Sequence, residues 1–205
     1  MAGEQEQPPD ESYRLFIALE VPEAVRSALE RVQLRLRREV SGGGIRWARQ
    51  DQLHLTLRFL GDVEVGRVPE LIQGLQRACG QFAALELHAG GIGFFPSLRR
   101  PRVIWAGATD TRERLGALAG AIAQATLTFG AEPSETRFAG HITLGRIKDL
   151  SSAEAAKLAR AAGRETGQCY GEWVASEIAL IRSQLAPSGS TYRRLAGVPL
   201  GGGAA

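Results

Sequence analysis

The 205-residue chain has three histidines, and two of them stand in matching tetrapeptides, His54-Leu55-Thr56-Leu57 and His141-Ile142-Thr143-Leu144. Side chains alternate across an extended strand, so in each copy the imidazole and the threonine hydroxyl share one face while the aliphatic neighbours take the other. A pair of imidazoles suits a reaction in which one proton is removed and another delivered, because an unperturbed histidine titrates at ~6.5 and can act as base or acid near neutrality. In-line displacement at a phosphodiester is such a reaction. The attacking oxygen loses a proton and the departing oxygen gains one, while hydroxyls such as those of Thr56 and Thr143 donate to the non-bridging oxygens. Each proton transfer contributes ~10²–10⁴ in rate. A single H-x-T would read as a structural strand residue; two copies with matched aliphatics favour chemistry. His88 lacks that context and reads as a surface strand residue.

A zinc centre fits these residues poorly. Neither tetrapeptide has a histidine, cysteine or carboxylate at ligand spacing, and Asp51 and Asp62 flank the first copy without counterparts at the second. The expected chemistry uses no metal and no cofactor.

The elements that must hold the motifs follow from periodicity. Tyr13 to Val21 reads as a strand, and after Pro22 the apolar residues Val25, Leu29, Val32 and Leu36 keep helical spacing up to a glycine stop at Ser41 to Gly44. Leu53 to Leu60 alternates as a strand, and Pro69 opens a helix carrying Leu71, Ile72, Leu75 and Cys79. Strands are expected from Leu85 to Ile92 and at RVIWAGA, separated by the basic loop FFPSLRRPR. A helix with Leu115, Leu118, Ala119 and Ile122 precedes the strand Gly140 to Ile147, and an alanine-rich helix with Leu158 follows. Strands near Trp173 to Ile181 and Ser190 to Leu195 close the chain, the pair read as a hairpin about Pro187-Ser188-Gly189. The mixture of hairpins and helical crossovers predicts an α+β fold. The histidine strands occupy similar places in the two halves, which predicts a bilobal molecule with two pseudo-symmetric, antiparallel-rich sheets, outer helices and a central cleft. Residues 1–12 and 201–205 lack hydrophobic periodicity and read as disordered tails around one domain, 13–200.

Composition bounds the rest. With 44% hydrophobic and 23% charged residues the chain is neither a disordered nor a collagen-like protein. No apolar run approaches the ~18 residues of a spanning helix. The start, MAGEQEQPPDES, does not resemble a signal peptide, so a soluble cytoplasmic protein that engages no membrane is expected. Cys79 and Cys169 are expected as buried free thiols rather than a disulfide or metal site. The net charge of +3 tolerates an anionic partner without demonstrating one.

At these motifs the chain resembles the two-histidine (2H) phosphoesterase superfamily, in its RNA 2′,3′-cyclic phosphodiesterase branch, historically called 2′-5′ RNA ligase. RLFIALEVP, HLTLRFLGDV, GIGFFPSLRRPRVIWAG, FAGHITLGR and LIRSQLAPSGSTYRRL follow that family's order from Tyr13 to about Leu200. The resemblance implies hydrolysis of a terminal 2′,3′-cyclic phosphate to a 2′-phosphomonoester, with His54 giving the proton to the leaving 3′ oxygen and His141 activating water. It implies that Thr56 and Thr143 bind phosphate oxygens and that Arg146 matches a basic position after the second motif. A straight strand would aim Arg146 away from His141 unless Gly145 permits a twist; Arg58, four residues after His54, shares the histidine face by parity and is the other candidate phosphate contact. Gly140 stands where the family often has proline. The basic loop could give a terminal nucleotide an aromatic platform through Phe94 or Phe95, with burial of these rings equally expected. Trp47 and Trp105 read as core, while Arg182, Ser183 and Tyr192 have no assigned step. RNA ends or 2′,3′-cyclic nucleotides are the implied partners of a monomer. Joining or cleaving 2′-5′ linkages in the same site is the nearest alternative, and a non-catalytic binder of RNA ends is the alternative from another class.

Overall fold

The computed structural model describes residues 11–40, 43–132, 138–186 and 189–201. Most of both expected tails, Ser41-Gly42 of the glycine stop and Pro187-Ser188 of the expected turn lie outside the described residues. Among the described residues nine strands and four helices follow one another as β1 (Ser12–Glu20), α1 (Glu23–Arg37), β2 (Ile45–Trp47), β3 (His54–Glu64), α2 (Val68–Cys79), β4 (Leu85–Phe95), β5 (Val103–Asp110), α3 (Leu115–Ala125), β6 (His141–Ile147), α4 (Ser152–Arg164), β7 (Cys169–Ala175), β8 (Glu177–Ala186) and β9 (Gly189–Pro199). No helix among them is long and apolar enough to cross a membrane.

The strands run in the order β7-β4-β5-β6-β3-β1-β8-β9, with β2 added to β6 and every pairing antiparallel. The α+β class is as the sequence predicts. The two expected sheets are the half-sheets β7-β4-β5-β6 and β3-β1-β8-β9, joined at the single residue pair Leu55–Ile142. One face carries the helices. There Leu15, Ile17 and Leu19 of β1, Leu55, Ile104 and Ile142 meet Leu29 and Val32 of α1, Leu71 and Leu75 of α2, Ile122 of α3 and Leu158 of α4, all fully buried or nearly so. Each such aliphatic contributes ~1.5–3 kcal/mol by leaving water. Among the described residues the opposite, concave face has one small cluster of buried apolar residues, Phe16, Ala18, Ala179 and Ile181, and the motifs share the rest of it with less buried side chains.

Two readings of the sequence need correcting. The single strand expected near Trp173 to Ile181 is two strands parted at Ser176, whose carbonyl accepts from the Leu200 N–H at 2.8 Å; β7 pairs with β4 in one half while β8 pairs with β1 in the other. Burial separates them. Ile178 to Ile181 is buried without interruption because both faces of β8 are covered, whereas Glu172 and Val174 of the edge strand β7 are exposed. Cys79 is buried as expected, but Cys169 is exposed at the start of that edge strand.

Candidate active site

Leu55 and Ile142 are ladder partners, and both sink fully into the helix side. Their neighbours must therefore face the concave side, and continuing the antiparallel register sets His54 beside Thr143 and Thr56 beside His141. The histidines stand diagonally across the strand pair, a relation that separates Cα atoms by ~7–8 Å in a regular sheet. All four side chains are half-buried in the groove floor.

Both strands break alternation immediately after the threonine. In β3 the register against β1 shifts between Thr56 and Arg58, leaving Leu57 as the extra residue; in β6 the register against β5 shifts between Thr143 and Gly145, leaving Leu144. Each bulge reverses the side of the residues that follow it, in β3 as far as a second register shift at Leu60. Arg58 goes to the helix side, where its guanidinium donates to the Ala123 carbonyl at 2.5 Å and the Ala131 carbonyl at 3.0 Å. It lies 6% exposed, so the expected phosphate contact at Arg58 is not in the groove. Arg146, by contrast, is exposed opposite Val103 on the concave side, as it would have to be to meet the motifs. Its counterpart after the first bulge is Phe59, 62% exposed on the same face. Gln33, buried on α1, donates to the Leu144 carbonyl at 2.8 Å and the Ala48 carbonyl at 2.9 Å, and the Ala48 N–H also reaches Leu144, so the carbonyl displaced by the second bulge is satisfied.

The two rings are held alike. His141 Nδ1 lies 2.8 Å from the Ala139 carbonyl, which can only accept, so Nδ1 carries a hydrogen and Nε2 is the nitrogen turned to other partners. A backbone hydrogen bond with Gln52 serves His54 from the same distance back along the chain. Phe95 meets the His141 ring edge-on at 4.9 Å, with Trp105 at 6.3 Å. Phe16 stacks on His54 at 4.8 Å, and Tyr192 closes over it edge-on at 5.3 Å. Burial among these rings pushes the His54 pKa down to about 4, with the nearby His141 acting in the same direction and the Gln52 hydrogen bond opposing. A pKa of about 4 leaves His54 neutral at pH 7.

Charge is arranged at one end. Arg46 of β2 is the ladder partner of Arg146, and both, with Arg49, act on the Tyr192 hydroxyl, whose pKa is nevertheless raised, chiefly by desolvation. Arg49 is occupied by Asp51 at 2.9–3.0 Å. Together with Gln52 it also donates to the Ser190 carbonyl, which draws β9 over the turn ahead of β3. Arg46 and Arg146 have no ion pair among the described residues. Glu20, ladder partner of His54, is taken up by Arg194 at 2.6 Å, which also holds Glu177. Nor does a third histidine, cysteine or carboxylate join His54 and His141 in a metal-binding group among the described residues.

Gly140, the departure from proline noted in the sequence, has a steric cause. A Cβ there would lie 2.3 Å from the Ala108 carbonyl oxygen and 2.8 Å from a Leu115 methyl, and proline carries a Cβ as any other residue does. The Ala108 N–H donates to the Gly140 carbonyl at 3.0 Å, clamping the chain one residue before His141.

Several groove residues escaped the sequence reading. Trp105, read as core, faces the groove because it pairs with Thr143. Phe95 lies on that side also, whereas Phe94 packs against the core. Phe16, Phe59, Tyr192 and Arg46 have no local signature at all; only the pairing of β1, β2 and β9 with distant strands gathers them. Arg182 stacks 3.9 Å over Tyr13.

Comparison with known proteins bears on the family and the fold. The model of the family described as LigT like phosphoesterase matches residues 19–105 and again 107–192, one match to each half. The RNA 2′,3′-cyclic phosphodiesterase of Aquifex aeolicus is 28% identical over 190 residues, covering 92% of this chain and 98% of its own. That of Thermus thermophilus is 31% identical over 185 residues, covering 87% and 86%. Among solved structures, TT0787 of Thermus thermophilus superposes with a TM-score of 0.75 at 31% identity, over 92% of this chain and 98% of that one. Escherichia coli LigT complexed with 3′-AMP superposes with a TM-score of 0.67 at 26% identity, over 93% and 99%.

Proposed function

We propose, from the premise that the chain belongs to the LigT-like phosphoesterase family, that it hydrolyses 2′,3′-cyclic phosphate at the end of an RNA to the 2′-phosphomonoester, using His54 and His141 without a metal ion. The presence of both imidazoles on one face, across the single rung that joins the half-sheets, carries this reading. The names of the relatives supply the substrate class. In this scheme the lone pair on His141 Nε2 takes a proton from water as its oxygen bonds to phosphorus. The P–O3′ bond breaks, and His54 passes its proton to the leaving 3′ oxygen. Thr56 and Thr143 donate to the non-bridging oxygens, and Arg146 offsets their charge.

An acid must be protonated when it acts, and a His54 with a pKa of about 4 is not protonated at pH 7. The substrate resolves this. A phosphodiester anion ~4 Å from the ring, at an effective dielectric constant of ~20, is worth about 4 kcal/mol, or about three pKa units. That lifts a group at about 4 to the neutral range. The acid is thus charged by what it is to cleave, while the free enzyme holds a neutral imidazole.

The test is incubation of a short RNA bearing a 2′,3′-cyclic end with the purified protein in excess chelator. A 2′-phosphate end is expected, and a supplied 5′-hydroxyl RNA measures joining against hydrolysis. Absence of any phosphate product overturns the reading. The ring environment makes a separate prediction: in an NMR titration of the free protein, His54 titrates with a midpoint near 4. Tyr192→Ala admits water to the ring, relieves the desolvation of the imidazolium and moves that midpoint toward the ~6.5 of a free imidazole. A midpoint unmoved by Tyr192→Ala would show that the tyrosine does not shield His54.

A further inference from the structure

Away from the groove histidines, one group of side chains among the described residues brings three metal-binding donors together: His88, Cys169 and Glu172, whose ligand atoms all lie within 4.8 Å of one another. Local pairing explains how. His88 on β4 is the ladder partner of Glu172 on the edge strand β7, so their side chains share a face. Cys169 is three residues before Glu172, and strict alternation would put it on the opposite side. The register shifts between Ala89 and Gly90, leaving Tyr170 as an extra residue; Gly90 then pairs with Cys169 and returns the thiol to the His88 face. Tyr170 takes the core, 7% exposed, and Gly171 follows with φ +138°, a backbone that other residues rarely adopt. Gly90 leaves the intervening space open, its missing Cβ position lying 2.6 Å from His88 Cε1. Like the two bulges in the groove, this one assembles a constellation that a regular ladder would scatter.

We propose that His88, Cys169 and Glu172 form a binding site for a zinc-class cation, with water in the fourth position. One imidazole, one thiolate and one carboxylate is a borderline-soft donor set that suits Zn²⁺ and is foreign to Mg²⁺ or Ca²⁺, which take oxygen ligands. Zinc–ligand bonds of ~2.0–2.3 Å on a tetrahedron place donor atoms roughly 3.3–3.8 Å apart. The three need to draw in by ~1 Å from their present spread, a rotamer adjustment open to a half-buried His88 and the exposed Cys169 and Glu172. Among the described residues none of the three has a hydrogen bond or ion pair to give up. A cation here ties the edge strand β7 to β4. His141, Gly107, Gly90 and Cys169 follow one another straight across β6, β5, β4 and β7, so Cys169 stands three strand spacings, ~14 Å, from the catalytic candidate. The site therefore takes no part in the phosphoryl chemistry, and it is compatible with turnover in chelator.

Titrating the full-length reduced protein with Co²⁺ tests this. One equivalent is expected to bind with the near-ultraviolet sulfur-to-cobalt charge-transfer absorption of a thiolate ligand and to be displaced by Zn²⁺. Cys169→Ser abolishes the band. His88→Ala and Glu172→Gln each weaken binding by at least the roughly 10–100-fold that loss of an outer-shell partner costs a metal site. Three results would overturn it: no charge-transfer band, a band of undiminished affinity in both His88→Ala and Glu172→Gln, or binding that survives Cys169→Ser and disappears with His54→Ala. Because the readout is metal absorption, its failure leaves the hydrolytic reading untouched, and the converse holds.

Discussion

Replacing His141 with alanine lowers kcat on a 2′,3′-cyclic phosphate end by ~10²–10⁴-fold, and His54→Ala does the same, with KM little changed in either. In the proposed mechanism the two rings act on one phosphorus atom, so the double substitution costs close to the larger single loss rather than the product of both. Their roles separate on a substrate whose leaving group needs no proton. With a nitrophenolate ester, His54→Ala recovers most of its lost rate, whereas His141→Ala does not, since water still requires a base. Thermal melting of both variants stays near that of the parent because each ring is only half-buried on the concave face. Recovery by the His141 variant instead would exchange the assigned roles. Full activity in both variants would remove the mechanism altogether.

The second large effect comes from a residue that touches no substrate. Gly140→Ala forces a methyl group to within 2.3 Å of the Ala108 carbonyl oxygen, a backbone atom with no rotamer to change. The chain must move, and it moves between Ala139, whose carbonyl orients His141 Nδ1, and His141 itself. A displacement of ~1 Å at a reacting group costs about 10²-fold in rate. Overpacking of this kind also costs about 1–3 kcal/mol of stability. The expected result is a joint fall in kcat and melting temperature, with loss of the nitrophenolate activity as well, because the base is the group displaced. A variant with parental kcat and melting temperature would show that this clamp does not set the position of His141.

How far the sequence could be read depended on where alternation held. Up to the threonine of each motif, period-two parity placed His54, Thr56, His141 and Thr143 on one face, and the ladder agrees. Beyond the threonine, strict parity points Arg58 into the groove and Arg146 away from it, and both are reversed because β3 and β6 each carry a bulge at the following leucine. Gly145 offered a hint of the second bulge. Nothing in LTLRFL announces the first, and Arg58 was assigned to a groove from which its own strand turns it away. The α+β class and the four helices were legible, since apolar stripes at helical spacing are local. The break at Ser176 was not, because an apolar run covered on both faces looks the same whether or not it continues into its neighbour. The aromatic housing of His54 was out of reach for another reason: Phe16 and Tyr192 belong to strands at opposite ends of the chain, and only the completed sheet brings them together.

The lone rung between Leu55 and Ile142 also joins the two stretches that share a motif. The family model matches twice along the sequence, over 19–105 and 107–192, and each match carries one of the two histidine motifs, although each half-sheet draws strands from both matches. Phe59 follows His54 by the same five residues as Arg146 follows His141, so an aromatic ring on one side answers a cation on the other and the cradle has a distinguishable left and right.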